Sequence, residues 1–296
     1  MYQVSSLESK MRPVYINKIA YMQPNKSIAA YIGENEPKSE VYRVGLFTQD
    51  QYEAKYLDLN QSLKDAVSWL STEIASLRIT NVGLITFTTS SFFLSPSKMI
   101  DLWNSVLQNM KGSENVETNM VSGKGCNSFL YSVGMAYRRI RCGEIDRALV
   151  FCIELHDVGV NRYSDYAFFS DGVALVYLSK DEAETEIGGF SSMRASYAPD
   201  SFATRNCAEQ FPMQRRPYMI LSTTNTFHFL LNRKYSAIPV TIKLIKDFRI
   251  KPHMYSIDPF VNYLNGEGGA DYVLHVESPP LHIDSLYLYS HVNQSS

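Results

Sequence analysis

The sequence predicts an α/β protein in which apolar strands alternate with amphipathic helices. Two runs, VGLITFTTS (82–90) and RALVFCIEL (147–155), are nearly apolar throughout. A strand with one wet face alternates in polarity, so these two read as strands covered on both sides, as interior parallel strands are. Between them, apolar residues recur at helical spacing. A strand-to-helix corner rich in glycine, VSGKGCNSF (121–129), joins the two patterns.

The elements follow in order. VYINKIAYM (14–22) reads as a strand, and the polar stretch around GENEPKSE (33–40) reads as a loop or insertion. Leu63, Ala66, Val67, Leu70, Ile74 and Leu77 form one apolar face of a helix over about 60–78. A second helix fits 97–110, with Pro96 just before it. Residues 116–122 read as a short strand. Gly123 and Gly125 permit a sharp reversal, and Phe129, Leu130, Val133, Ala136, Tyr137 and Ile140 form a helical stripe ended by Gly143. After the 147–155 strand comes a polar loop through Asp165, then a turn and strand in FFSDGVALVYLSKD (168–181).

Composition narrows the function classes. The chain has 296 residues, 45% of them hydrophobic, enough for one large α/β unit or two fused halves. A net charge of −2 offers no basic field, so neither nucleic acid nor an anionic membrane is an expected partner. No apolar stretch reaches the length of a membrane span, so a soluble protein is expected. The start MYQVSSLESKMRP lacks the apolar core of a signal peptide. That predicts a cytoplasmic location, with Cys126, Cys142, Cys152 and Cys207 as free thiols. With no CxxC pair, no metal is expected.

Cys126 falls at or just before a helix N-terminus. Unpaired amides and the helix dipole at such a place favour a thiolate, the form that attacks a thioester carbonyl. Cysteine is also a small, commonly buried residue suited to a tight corner, and position alone favours that plainer role. A phosphate loop is a third reading of GKG, and it fails: Lys124 precedes Gly125 rather than Ser or Thr, and no glycine stands at the required upstream spacing.

Three stretches, FTTSSFFLSPS (87–97), VSGKGCNSFLYSVGMAYRRIRCGEIDRALVFCIEL (121–155) and FSDGVALVYL (169–178), together resemble β-ketoacyl-acyl-carrier-protein synthase III, a condensing enzyme of the thiolase fold. The resemblance is good over about 80–180 and weaker elsewhere. It implies a five-layer αβαβα fold of two similar halves, here 1–181 and a shortened 182–296, with Cys126 on the central helix of the first. It implies a dimer joined across a strand near 82–90, with the loop bearing Phe92, Phe93, Leu94 and Pro96 reaching toward the partner. It also implies acyl transfer onto cysteine from coenzyme A or an acyl carrier protein, then condensation with a malonyl thioester, assisted by a histidine and an asparagine. No permanently bound cofactor is expected.

The second half departs from that pattern. IPVTIKLIKDFRIKP (238–252) is helix-like, and YSIDPFVNYL (255–264) looks like the family's strand and Pro-His segment, with Phe260 in the place of the histidine. A phenyl ring donates no hydrogen bond or proton. Neither Asn262 nor Asn265 is a secure counterpart of the asparagine. VLHVESPPLHIDSLYLYS (273–290) resembles the closing hairpin, with Ser278, Pro279 and Pro280 where glycines are expected; the prolines have no N–H to offer an oxyanion.

These changes resemble the short, catalytically incomplete subunits of heterodimeric synthases, although such partners can lose the cysteine that this chain keeps. Two functions are therefore expected. The first is a subunit that pairs with a complete homologue, or with itself, in fatty-acid-like or specialised-metabolite synthesis. The second is a stand-alone acyltransferase that passes an acyl group from Cys126 to an amine, alcohol or thiol without decarboxylation. His228, opening an expected helix, is a candidate base and more commonly a packing or capping residue. His253 is expected exposed, and His275 faces either the site or the surface. Cys142, Cys152 and Cys207 have no assignable base, and Asp171 and Gly172 shape a turn.

Overall fold

The computed structural model describes residues 11–22, 26–31, 51–56, 59–77, 79–90, 96–108, 116–155, 171–194, 218–222, 240–241, 255–265, 271–278 and 282–291. The first half contributes β1 (Tyr15–Met22), α1 (Leu59–Leu77), β4 (Leu84–Thr88), α2 (Pro96–Gln108), β5 (Glu117–Val121), α3 (Ser128–Arg141), β6 (Arg147–Glu154) and β7 (Gly172–Ser179). β2 (Lys26–Tyr31) and β3 (Gln51–Tyr56) form a separate antiparallel pair that the sequence pattern does not announce. The second half contributes β8 (Thr185–Arg194), β9 (Tyr218–Ser222), β10 (Val240–Thr241), α4 (Asp258–Leu264), β11 (Asp271–Ser278) and β12 (His282–Ser290).

Strand order reveals a repeat. Reading outward from the β1–β8 junction, the first half runs β1-β7-β6-β4-β5 and the second runs β8-β12-β11-β9-β10. Pair directions match as well. β6, β4 and β5 are mutually parallel, as are β11, β9 and β10, while the pairs closer to the junction are antiparallel. In each half the helix before the third parallel strand, α3 or α4, enters from a 3-10 turn, Gly125–Asn127 or Tyr255–Ile257.

The period-two alternation of β6 explains the layering. Leu149, Phe151 and Ile153 point outward into a core shared with Ala66 and Leu70 of α1 and Val106 of α2. Phe87 is stacked on Trp103 at 4.9 Å between ring centroids and meets Phe151 at 5.1 Å. Ala148, Val150 and Cys152 point inward, into a second core containing Phe129, Val133 and Ile140 of α3, Phe260 of α4, Leu274 of β11 and Leu286 of β12. The two halves share one ten-stranded sheet joined through β1 and β8; its first-half and second-half portions enclose α3 and α4, with α1 and α2 packed outside the first-half portion. Apolar β4 and β6 are covered on both faces, as their sequences require.

Two glycines fix how α3 sits. A Cβ on Gly134 would lie 2.3 Å from the ring of Phe190 on β8, so only glycine lets helix and strand approach this closely. Gly143, at φ +77°, ends α3: its N–H bonds to Ile140 O at 2.9 Å and that of Glu144 bonds to Arg139 O at 3.0 Å, the paired closure of a Schellman motif.

Several expectations are corrected. Residues 255–264 are a 3-10 turn and a helix rather than a strand, and within 238–252 the described part is the short strand β10. β4 lies between β5 and β6, bonded on both edges, so it cannot be the strand joined across a dimer. Among the described residues the ten-stranded sheet ends at β5 on the first-half side. No helix of the described residues is long and apolar enough to cross a membrane.

Candidate active site

The Cys126 corner is built by backbone first. Gly123 and Gly125 take φ of +76° and +54°, a region that costs an L-residue about 1–2 kcal/mol. The reversal they allow is closed by Asn127 N–H to Lys124 O at 3.2 Å and by Ser128 Oγ donating to Gly125 O at 2.9 Å. Cys126 is the middle residue of the 3-10 turn, half-buried, in no disulfide and packed against the inner core. α3 follows directly from this turn, and its first amide, Ser128 N–H, bonds back to Gly125 O. Beside it the Lys124 ammonium sits 4.0 Å above the Tyr131 ring.

The second half places Ser256 where the first places Cys126, each the middle residue of its 3-10 turn. The two turns pack against one another. Ser256 is fully buried and donates its hydroxyl to Glu154 Oε1 at 2.8 Å. Glu154, at the end of β6 and equally buried, also accepts from Ser90 N at 2.9 Å and Ser90 Oγ at 2.5 Å, and from Thr89 Oγ1 at 3.5 Å. A buried carboxyl needs such donors to offset its lost hydration. Cys152 Sγ lies 3.1 Å from Ser256 Oγ and donates to Glu154 Oε1 at 3.4 Å. Burial, reinforced by the charge of Glu154, pushes the Cys152 thiol well up, which keeps it protonated and unreactive.

On the other side of the corner Asn127, fully buried, sends Nδ2 to Val276 O at 3.1 Å and to Asp284 Oδ2 at 2.7 Å. Asp284 shares the inward phase of β12 with Leu286 and Leu288 and is only 1% exposed.

The other candidate residues are dispersed. Phe260 is buried on α4, its ring 4.6 Å from that of Phe129. Asn262 bonds back to Asp258 O at 2.7 Å, within its own helix, and Asn265 is that helix's exposed C-cap. Ser278 closes β11 opposite His282, His275 pairs in register with Ser285, and Pro96 opens α2. Asp171 is buried immediately before β7, where Gly172 pairs with Glu154. Cys142 is exposed at the end of α3. His228, His253, Phe92, Phe93, Leu94, Pro279, Pro280 and Cys207 lie outside the described residues. Among the described residues no cluster of three His, Cys, Asp or Glu side chains is arranged to hold a metal ion.

Sequence reasoning missed Glu154, Ser256, Asn127 and Asp284. Two signals were present: Glu154 interrupts an apolar run, and Asp284 stands at an inward position of a strand whose other inward residues are leucines.

No protein-family model matches the sequence, and no curated protein is similar to it at a significant level. Solved structures do match. A glutamate-to-glutamine variant of Xanthomonas campestris OleA superposes with a TM-score of 0.64 at 14% identity, over 94% of this chain and 98% of that one. A histidine-to-aspartate variant gives 0.63 at 15% identity, over 94% and 99%. The same enzyme soaked with cerulenin gives 0.63 at 14% identity, over 94% and 99%. With the repeated halves and the central helix pair, these likenesses show the thiolase fold.

Proposed function

We propose that the chain is a ketosynthase III-like subunit that accepts an acyl group on Cys126 and works with a complete homologous chain. The observation that carries this reading is the half-buried Cys126 at the start of the central helix, in a corner held by two left-handed glycines inside a thiolase fold. There the sulfur attacks the carbonyl of an acyl-coenzyme A or acyl-carrier-protein thioester. A carbon–sulfur bond forms to Cys126, the bond to the carrier breaks, and the carrier leaves as a thiol with the proton that Cys126 gave up.

The sequence of the second half supports the need for a partner. Pro279 and Pro280 have no N–H groups, and α4 has 7 residues where α3 has 14. The partner supplies the histidine and asparagine that condensation requires. Pairing uses the free edge of β5.

The test is intact-mass analysis of the purified chain after exposure to acyl-coenzyme A thioesters of graded length, with and without co-expressed homologues. The expected result is a single acyl adduct, absent from Cys126→Ser, and condensation only when the second chain is present. An unmodified Cys126 under all these conditions would remove the acyl-acceptor role. Transfer to an amine, alcohol or thiol by the chain alone would replace the subunit reading with that of a stand-alone acyltransferase.

A further inference from the structure

We propose that Asn127 is a positioning residue: its amide ties the Cys126 corner to both strands of the β11–β12 hairpin, with Asp284 as its anionic anchor. Asn127 follows Cys126 within a single 3-10 turn, so whatever fixes Asn127 fixes the thiol. Its side chain is fully buried and both Nδ2 hydrogens are used, one on Val276 O at 3.1 Å and one on Asp284 Oδ2 at 2.7 Å. Val276 and Asp284 face each other in the hairpin register, two pairs before the strands end at Ser278 and His282. One amide therefore bridges the nucleophile corner to both β11 and β12.

The bridge also handles charge. A carboxylate buried behind the residue next to a thiol opposes the thiolate, and the Asn127 amide is one of the groups that offset its charge. Removing the amide leaves Asp284 facing the corner with its charge less compensated. The other titratable groups on the surrounding elements are Lys124 and Tyr131 at the corner, Glu154 and Cys152 beneath the Ser256 turn, Tyr255 in that turn, and Asp258 on α4. Asp271, Tyr272, His275 and Glu277 lie on β11, His282, Tyr287 and Tyr289 lie on β12, and Tyr263 lies on α4.

The inference rests on Cys126 being the reactive thiol of the proposed function, but its test needs no acyl donor. The rate of Cys126 alkylation by iodoacetamide is followed by peptide mass against pH, on full-length protein, with a thermal melt of each variant. Asn127→Ala is expected to raise the pH midpoint by about half a unit, which slows alkylation about threefold below the midpoint. Asp284→Asn, which keeps an acceptor but removes the charge, is expected at or below the wild-type midpoint. The double variant Asn127→Ala with Asp284→Asn is expected to return to it. Should Asn127→Ala fail to fold, Asn127→Asp, close to isosteric, sets a second carboxylate against Asp284 and is expected to raise the midpoint further. Wild-type pH profiles in Asn127→Ala or Asn127→Asp, whatever their melting temperatures, would overturn the proposal, as would failure of the double variant to recover. Shifted profiles in a protein that takes no acyl group would instead sink the acyl-acceptor reading and leave the positioning role standing.

Discussion

Ser256 donates a hydrogen bond from its hydroxyl to Glu154 across the boundary between the two halves, 2.8 Å from donor to acceptor and 102 residues apart in the chain. Through this bond the turn that opens α4 is held against the end of β6, next to the turn that carries Cys126. Ser256→Ala leaves Glu154 with one donor fewer in a site closed to water. A buried hydrogen bond lost in this way costs about 1–3 kcal/mol. The expected outcome is a lower melting temperature, with more loss in Glu154→Ala, which strands Ser90 and Ser256 together. A Ser256→Ala protein that melts like wild type would show the bond to be dispensable.

The contact between Gly134 and Phe190 gives a steric prediction. Gly134→Ala places a methyl group 2.3 Å from the Phe190 ring, inside van der Waals contact, and forces α3 away from β8 or the ring out of its slot. Overpacking of this kind costs about 1–3 kcal/mol. Phe190→Leu in the same chain should restore part of that stability. Calorimetric melts of the two single variants and the double variant measure the coupling, and strictly additive losses would contradict it.

The first half was legible because its elements are long and periodic. The stripe from Phe129 to Ile140 and the apolar run around Val150 state their structure without help from distant residues, and the glycines at 123 and 125 mark the corner. The second half was not legible by the same signals. In 255–264 the apolar residues Ile257, Phe260, Val261 and Leu264 are too few for a period to emerge, and the resemblance to a family strand outweighed Pro259, a residue suited to the first turn of a helix. The charged residues of the site were visible as anomalies in apolar strands but had no readable partners. Asn127 and Asp284 are 157 positions apart, and only the layering brings them together.

β5 offers a test of pairing that leaves the fold intact. Glu117 N–H bonds to Gly83 O and Val121 O accepts from Thr89 N–H, so residues 117 and 121, and by alternation 119, direct their backbone toward β4. Thr118 and Met120 therefore turn theirs outward, and Met120 is 42% exposed. Met120→Pro removes one outward N–H without touching the β4 ladder. Its expected effect is loss of co-elution with a homologous chain on size exclusion, with the melting temperature of the isolated chain little changed. Co-elution at wild-type levels would move the interface elsewhere.

Alkaline pH should weaken the fold, and the sign follows from groups whose ionisation burial opposes. The Cys152 thiol is pushed up by burial and then by Glu154, while Tyr137 and Tyr263 are pushed up mainly by burial. Each holds its proton more tightly folded than unfolded. Their contribution is fully present below the unfolded values, near 9.0 for the thiol and 10.0 for the phenols, and is lost as pH rises through the folded ones. Urea midpoints should therefore be level through neutral pH and fall above about 9. Cys152→Ala removes the earliest of these ionisations, at the expense of a small cavity beside Ser256. Its midpoint should begin lower and decline less steeply between pH 9.0 and 10.0, the interval that separates the thiol from the phenols. Parallel curves for wild type and Cys152→Ala across that interval would show that this thiol does not contribute to the alkaline loss.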